Sequence, residues 1–276
     1  MPNPRKSLVS VIISTKNEAM VLPRLLQSIQ QQIYSPIEVI VVDNNSDDNT
    51  VAIAKSYTSQ VYTAGNERSS QRNFGAVKAH GKYVLFLDAD MELVPSIIKD
   101  CVAVLQKKSA VAVIIPEDVK ITNFFSRMKQ LEKRIYWNEP CIEAARFFEK
   151  KVFLKAGGYN ENLISGEDWD LSYRISKIGK LARIDTPLFH QETSLFRELK
   201  HKMYYTRHIG NYARLHPDQF RRQSGKFRIR LLYGKGKLFK ESPFVFISVC
   251  LLKGCEFMLY QCFLIYNKLR QNNKNI

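Results

Sequence analysis

Acid is scarce in this chain. Across 276 residues, 26 Asp and Glu face 42 Lys and Arg, a net charge of +16. That excess excludes an electrostatically indifferent surface and favours an anionic partner: nucleic acid, an acidic membrane face or phosphorylated substrates. Cysteine is scarce too. Cys101, Cys141, Cys250, Cys255 and Cys262 are odd in number and form no Cys-x-x-Cys pair. They read as small buried apolar residues in a reducing compartment rather than as a disulfide framework. No Gly-x-Gly-x-x-Gly follows the first apolar run and no Walker A motif is present, so neither fingerprint is available to bind a nucleotide. The start, Met-Pro-Asn-Pro-Arg-Lys, has no apolar h-region. No signal peptide is expected, and the protein is placed in the cytoplasm or on the cytosolic face of a membrane.

What is present is an alternation. Apolar runs at 8–14, 37–43, 83–87 and 110–116, with a short one at 60–63, read as buried strands. Between them lie helical patterns, such as Ala19 to Gln32 with Leu22, Leu25, Leu26 and Ile29 on one stripe. Strand and helix in turn predict an α/β fold with a mostly parallel central sheet flanked by helices. In such a sheet the polar loops at 14–18, 43–48 and 88–90 share one edge, where open α/β sheets bind ligands. Asp88 and Asp90 repel each other at that edge. Either a cation or a polyphosphate–metal pair lies between them, or they are solvated turn residues.

Four blocks carry a resemblance: Val-Ile-Ile-Ser-Thr-Lys-Asn-Glu (11–18), Val-Val-Asp-Asn-Asn-Ser-Asp-Asp-Asn-Thr (41–50), Arg-Asn-Phe-Gly-Ala (72–76) and Leu-Asp-Ala-Asp (87–90). In order and spacing the chain resembles the family 2 glycosyltransferases of the GT-A, Rossmann-like fold. The resemblance implies a nucleotide-sugar donor, with a uridine diphosphate sugar favoured. It also implies Mn2+ or Mg2+ on the diphosphate and inversion at the anomeric carbon. By position, Ser14, Asn17, Glu18, Asp43, Asn45, Arg72, Asp88, Ala89, Asp90 and Glu167 would bind the nucleotide sugar. Asp90, with Asp88 and His190, would hold the metal. Many relatives carry Tyr or His where this chain has Lys16, which leaves open what packs on the base.

The second half adds Gly-Glu-Asp-Trp-Asp at 166–170, which matches the family's second acidic motif. Carboxylates opening a helix are favourable on structural grounds alone, and capping stays the plain reading of Glu167 and Asp170. The resemblance makes Asp168 the general base. The stretch Asn123 to Trp137 reads as a basic amphipathic helix that either meets the acceptor or packs on its own sheet. His190 is either a metal ligand or structural.

The division expected is a catalytic domain over 1–192 and a basic helical extension over 193–276. From Arg197 to Lys240 there are 13 Lys or Arg against two acids. The run 244–266 is overwhelmingly apolar, yet Lys253, Gly254 and Glu256 sit in its middle. Three placements stay open, ranked in the order given: membrane association, as a helix lying in the interface or a re-entrant hairpin bent at Gly254; a helix packed on the protein or on another subunit; and a full span. The reading is an inverting, metal-dependent glycosyltransferase with a glycan or lipid-linked acceptor, on an anionic membrane surface rather than on nucleic acid. A polyprenyl-phosphate sugar synthase and a non-catalytic binding module are the alternatives.

Overall fold

The computed structural model describes residues 6–191, 195–223, 225–234, 240, 242–255 and 258. The first half alternates as the sequence predicts: β1 (Val9–Thr15), α1 (Leu22–Gln30), β2 (Ile37–Asp43), α2 (Thr50–Tyr57), β3 (Val61–Thr63), α3 (Arg68–Lys78) and β4 (Tyr83–Asp88). Then come β5 (Met91–Glu92), α4 (Ile97–Lys108), β6 (Ala110–Ile114), β7 (Glu117–Val119), α5 (Phe124–Ile135), β8 (Ala145–Glu149) and α6 (Lys150–Lys155). The chain continues with α7 (Glu167–Ser176), β9 (Lys180–Arg183), β10 (Leu188–His190), α8 (Leu195–Leu215), α9 (Pro217–Arg222) and α10 (Gly225–Gly234). Residues 243–255 are also helical.

The main sheet runs β3-β2-β1-β4-β8-β6-β9. Its one antiparallel strand is β8, inserted between β4 and β6. Sequence alternation did not reveal β8, because Ala-Arg-Phe-Phe-Glu is short and follows a long irregular stretch rather than a helix. A second sheet, β5-β10-β7, stands beside the first.

The period of two along the strands sorts the core into two layers. Val9, Val11, Ile13, Leu85 and Leu87 face α1 and α4, where Leu22, Leu25, Leu26, Ile97, Ile98 and Cys101 are fully or almost fully buried. Ile12, Ile40, Val42, Val84 and Phe86 face the other way, onto Ala76 of α3, Ala79 just beyond it, and Leu171 and Ile175 of α7. Helix α3 lies so close to β1 that a Cβ on Gly75 would collide with Ile12, so glycine is required there. This close approach sets α3, and Arg72 on it, against the ends of β1 and β4.

Candidate active site

The strand register brings the three polar loops together. Thr15 pairs with Asp43, and Ser14 pairs with Asp88. The β1–α1 and β2–α2 loops are knitted by backbone donors and side-chain acceptors. Asn17 N–H donates to Ser46 Oγ at 2.8 Å, Glu18 N–H to Thr50 Oγ1 at 2.8 Å, and Asp47 N–H to Asn17 Oδ1 at 2.8 Å. Asn17 and Asn45 adopt φ of +56° and +47°, a region asparagine tolerates better than most residues. Asn17 therefore builds the wall between the loops, and Asn45 shapes its turn. Asp43 is buried and accepts from Thr15 Oγ1 at 2.8 Å and from Ser46 N–H at 2.7 Å. The carboxamide of Gln71 donates to the carbonyls of Thr15 and Val42, tying α3 to both strand ends.

On the other side of β1, Arg72 is fully buried. It donates to Asp88 Oδ1 at 2.6 Å and to Asp168 Oδ1 at 3.0 Å, with Glu167 Oε1 at 3.6 Å. Its guanidinium lies over the Tyr159 ring, 5.0 Å from the centroid. The second Asp88 oxygen accepts from Arg146 of β8 at 3.4 Å. Arg146 also donates to Glu117 Oε1 at 2.7 Å, and Lys133 donates to Glu117 Oε2 at 2.7 Å. His190 joins the same carboxylate through Nε2 at 3.0 Å, while its Nδ1 lies 3.7 Å from Asp90 Oδ2. Ala89 is buried between the two aspartates.

The charges follow from this packing. Burial pushes the Asp88 carboxyl up, but Arg72, Arg146 and Arg68 outweigh it and hold the group well below the usual range. Burial is likewise overcome at Glu117 by Lys133, Arg146 and His190. Burial and Lys133 push His190 down, and Glu117 and Asp90 more than restore it. Glu167 goes the other way: burial and neighbouring Asp168 raise it to about 6 against the pull of Arg68 and Arg72.

Helix α7 sorts the acids of Gly-Glu-Asp-Trp-Asp by direction. Glu167 accepts from Arg68 at 2.9 Å, and Asp168 turns to Arg72. Asp170 is buried and pairs with Arg174 at 2.6 Å and His216 at 2.7 Å, a structural tie to the end of α8. Gly166 precedes the helix at φ +82°, with the Tyr212 ring of α8 packed where a Cβ would sit.

Both Asp88 oxygens accept from guanidinium groups, one from Arg72 and one from Arg146. Among the described residues no three His, Cys, Asp or Glu side chains converge as a metal cage. Asp90 and His190 do face each other, and a carboxylate beside an imidazole is a donor pair that could take a borderline cation such as Mn2+, with phosphate oxygens and water completing its shell. Ser14 Oγ, Arg72 Nε and Tyr159 Oη are buried without a hydrogen-bond partner. Unmet polar atoms beside the Asp88–Arg72 pair fit a site that expects a polar ligand.

The sequence pattern of glycosyl transferase family 2 matches residues 10–159. The chain belongs to that family. The match spans both loops, Arg72, Asp88, Asp90, Glu117 and Arg146, but stops short of Asp168 and His190. An uncharacterized glycosyltransferase of Haemophilus influenzae is 29% identical over 182 residues, 61% of this chain and 62% of that protein. A Campylobacter jejuni protein named GalNAc(5)-diNAcBac-PP-undecaprenol beta-1,3-glucosyltransferase is 35% identical over 95 residues, 31% of this chain and 30% of that one. The chain thus spans less than two thirds of the length of either relative. The solved mannosyltransferase PcManGT from Pyrobaculum calidifontis, in complex with GDP-Man and Mn2+, superposes with a TM-score of 0.60 at 18% identity. That superposition covers 96% of this chain and 84% of the other, and it shows the GT-A fold.

Sequence reasoning within the family missed Glu117, Lys133, Arg146 and Tyr159. Lys133, Arg146 and Tyr159 lie in blocks without a polar strand-end signature, whereas Glu117 directly follows the apolar run 110–116. The available signals were Glu117 with Asp118 at the end of that run and Arg146, a cation set between apolar residues.

Proposed function

We propose that the chain is an inverting, metal-dependent glycosyltransferase acting on a nucleotide-sugar donor, with a uridine diphosphate sugar the first candidate. One observation carries this reading: a single buried guanidinium, Arg72, joins Asp88 at the end of β4 to Asp168 at the start of α7. An acid of the donor side and an acid free of the sheet are thereby held at one site. Ser14, Asp43 and the loop of Asn17, Glu18 and Asn45 form the nucleoside end. Asp90 and His190 would hold Mn2+ or Mg2+, which neutralises charge developing on the departing diphosphate.

Asp168 keeps 23% of its side chain exposed, so an acceptor can reach it. Its carboxylate takes the proton from the attacking hydroxyl. The freed oxygen attacks the anomeric carbon opposite the diphosphate, which leaves with the electron pair of the glycosidic bond. Arg72 and Arg68 hold the two α7 acids in place for that step. A lipid-linked glycan acceptor is supported by the undecaprenol in the name of the Campylobacter relative and by the basic extension. Among the described residues no helix is long and apolar enough to cross a membrane. A peripheral position on the cytosolic face is the placement proposed.

The test is Asp168→Asn. Thermal-shift titration with nucleotide sugars, with and without Mn2+, is expected to give the variant the wild-type donor response. Transfer should fall by about 10²–10⁴-fold. A variant that transfers at the wild-type rate would sink the base assignment and favour an acceptor that is already an anion, as in a polyprenyl-phosphate sugar synthase.

A further inference from the structure

The helical segment 243–255 has two apolar faces, and the structure buries one of them. Val245 and Val249 pack with Leu131 and Ile135 of α5. Lys253 reaches the buried carboxylate of Glu132, an ion pair on the same inner face. The outer face carries Phe244, Ile247 and Leu251, which are 73%, 49% and 67% exposed. A surface helix ordinarily puts polar residues there. Rolling the helix to hide these three would expose Val245 and Val249 and strip Glu132 of Lys253. The inner face is therefore fixed, and the outer one needs its own partner. Phe124 of α5, 47% exposed, meets Phe244 at 5.6 Å between ring centroids.

We propose that this face seats the protein on an anionic lipid bilayer. Two observations choose the bilayer over a second copy. A copy would bring another +16 against the first, whereas anionic lipid attracts it. The patch also adjoins the site. Helix α5 carries Phe124 in the patch and, about 14 Å further along its axis, Lys133, which donates to Glu117, the partner of His190. A helix sunk by its apolar face into the headgroup boundary would thus hold the catalytic edge beside the lipid surface. Arg127, exposed one turn along α5 from Phe124, would face the headgroups. The docking face deepens the lipid-linked acceptor reading but is independent of the reaction chemistry.

The experiment is sedimentation of the full chain with phosphatidylglycerol–phosphatidylcholine vesicles and with phosphatidylcholine alone. The wild type is expected to bind the anionic vesicles, less tightly as salt rises. The triple variant Phe244→Ser, Ile247→Asn, Leu251→Gln should bind on the order of tenfold more weakly while keeping the wild-type melting temperature. A wild type indifferent to anionic vesicles overturns the proposal, as does a triple variant that binds equally. A concentration-dependent dimer abolished by the triple variant assigns the face to a second copy and overturns it too. Should the triple variant fail to fold, Phe244→Trp keeps the surface apolar. Its added fluorescence must be quenched by brominated lipid, and absence of quenching refutes the docking face. Nucleotide-sugar hydrolysis measured without vesicles reports separately on the enzymatic reading.

Discussion

Arg72→Met removes a cation that is wholly buried among three carboxylates. Asp88 and Asp168 lose direct donors at 2.6 Å and 3.0 Å, and Glu167 loses a charge at 3.6 Å. Methionine fills much of the volume, so the cavity contribution is small and the electrostatic one dominates. Stripping one partner from a buried pair costs about 3–5 kcal/mol. For a chain of this size that corresponds to a fall in melting temperature on the order of 10 °C.

The pH dependence gives the mechanism away. In the wild type the Asp88 carboxyl is held low, so its contribution is full at neutral pH and lost as pH falls through the folded value. Without Arg72, burial is opposed by Arg146 and Arg68 alone and the folded value rises. The deficit of the variant should therefore narrow as pH is lowered from 7.5 toward 5. Replacing the acid as well, in Arg72→Met with Asp88→Asn, should recover part of the loss, because a neutral amide does not need the guanidinium. Differential scanning calorimetry across pH on the two variants and the wild type decides it. A shift under 2 °C, or a double variant no more stable than the single one, would refute the reasoning.

Other outcomes follow from the same geometry. Glu117→Gln leaves His190 without its carboxylate partner, and Mn2+ affinity measured by calorimetry in the presence of nucleotide should drop about 10–100-fold; an unchanged affinity would show that His190 is not a ligand. Glu167→Gln removes a carboxyl held at about 6 by burial and Asp168. A raised carboxyl stabilises fully below its unfolded value near 4.5 and loses this as pH rises through 6, so the variant should gain about 2 kcal/mol on the wild type between pH 4 and pH 8 in urea melts. Gly166→Ala forces a side chain into φ +82° and into the Tyr212 ring, 2.6 Å from Cγ. A loss of about 1–3 kcal/mol from the backbone alone is expected, with transfer activity falling as the start of α7 shifts.

The sequence by itself determined the local features. Strand and helix periods fixed the first four strands of the sheet and the helices between them, because a strand buried on both faces must be continuously apolar. Loops closing a pocket must be rich in Asn, Asp, Ser and Thr, so residues 14–18, 43–50 and 88–90 announced one edge. Spacing could not reveal which of those polar groups hold the wall and which face a ligand. Asn17 turns out to bind the neighbouring loop, since its amide oxygen is the acceptor nearest Asp47 N–H. Nor could it tell that Asp88 is claimed by two arginines brought in by α3 and the antiparallel β8. Charge pairing across 16 and 58 residues depends on how the sheet is wound, not on neighbours in the chain. The same holds for the tail. Its hydropathy predicted a membrane-seeking segment, while packing on α5 decided that Val245 and Val249 face inward and Phe244, Ile247 and Leu251 outward. Residues 256, 257 and 259–266 of that run lie outside the described residues. Period and composition are written locally, but the partner of a buried charge is chosen only when distant elements meet.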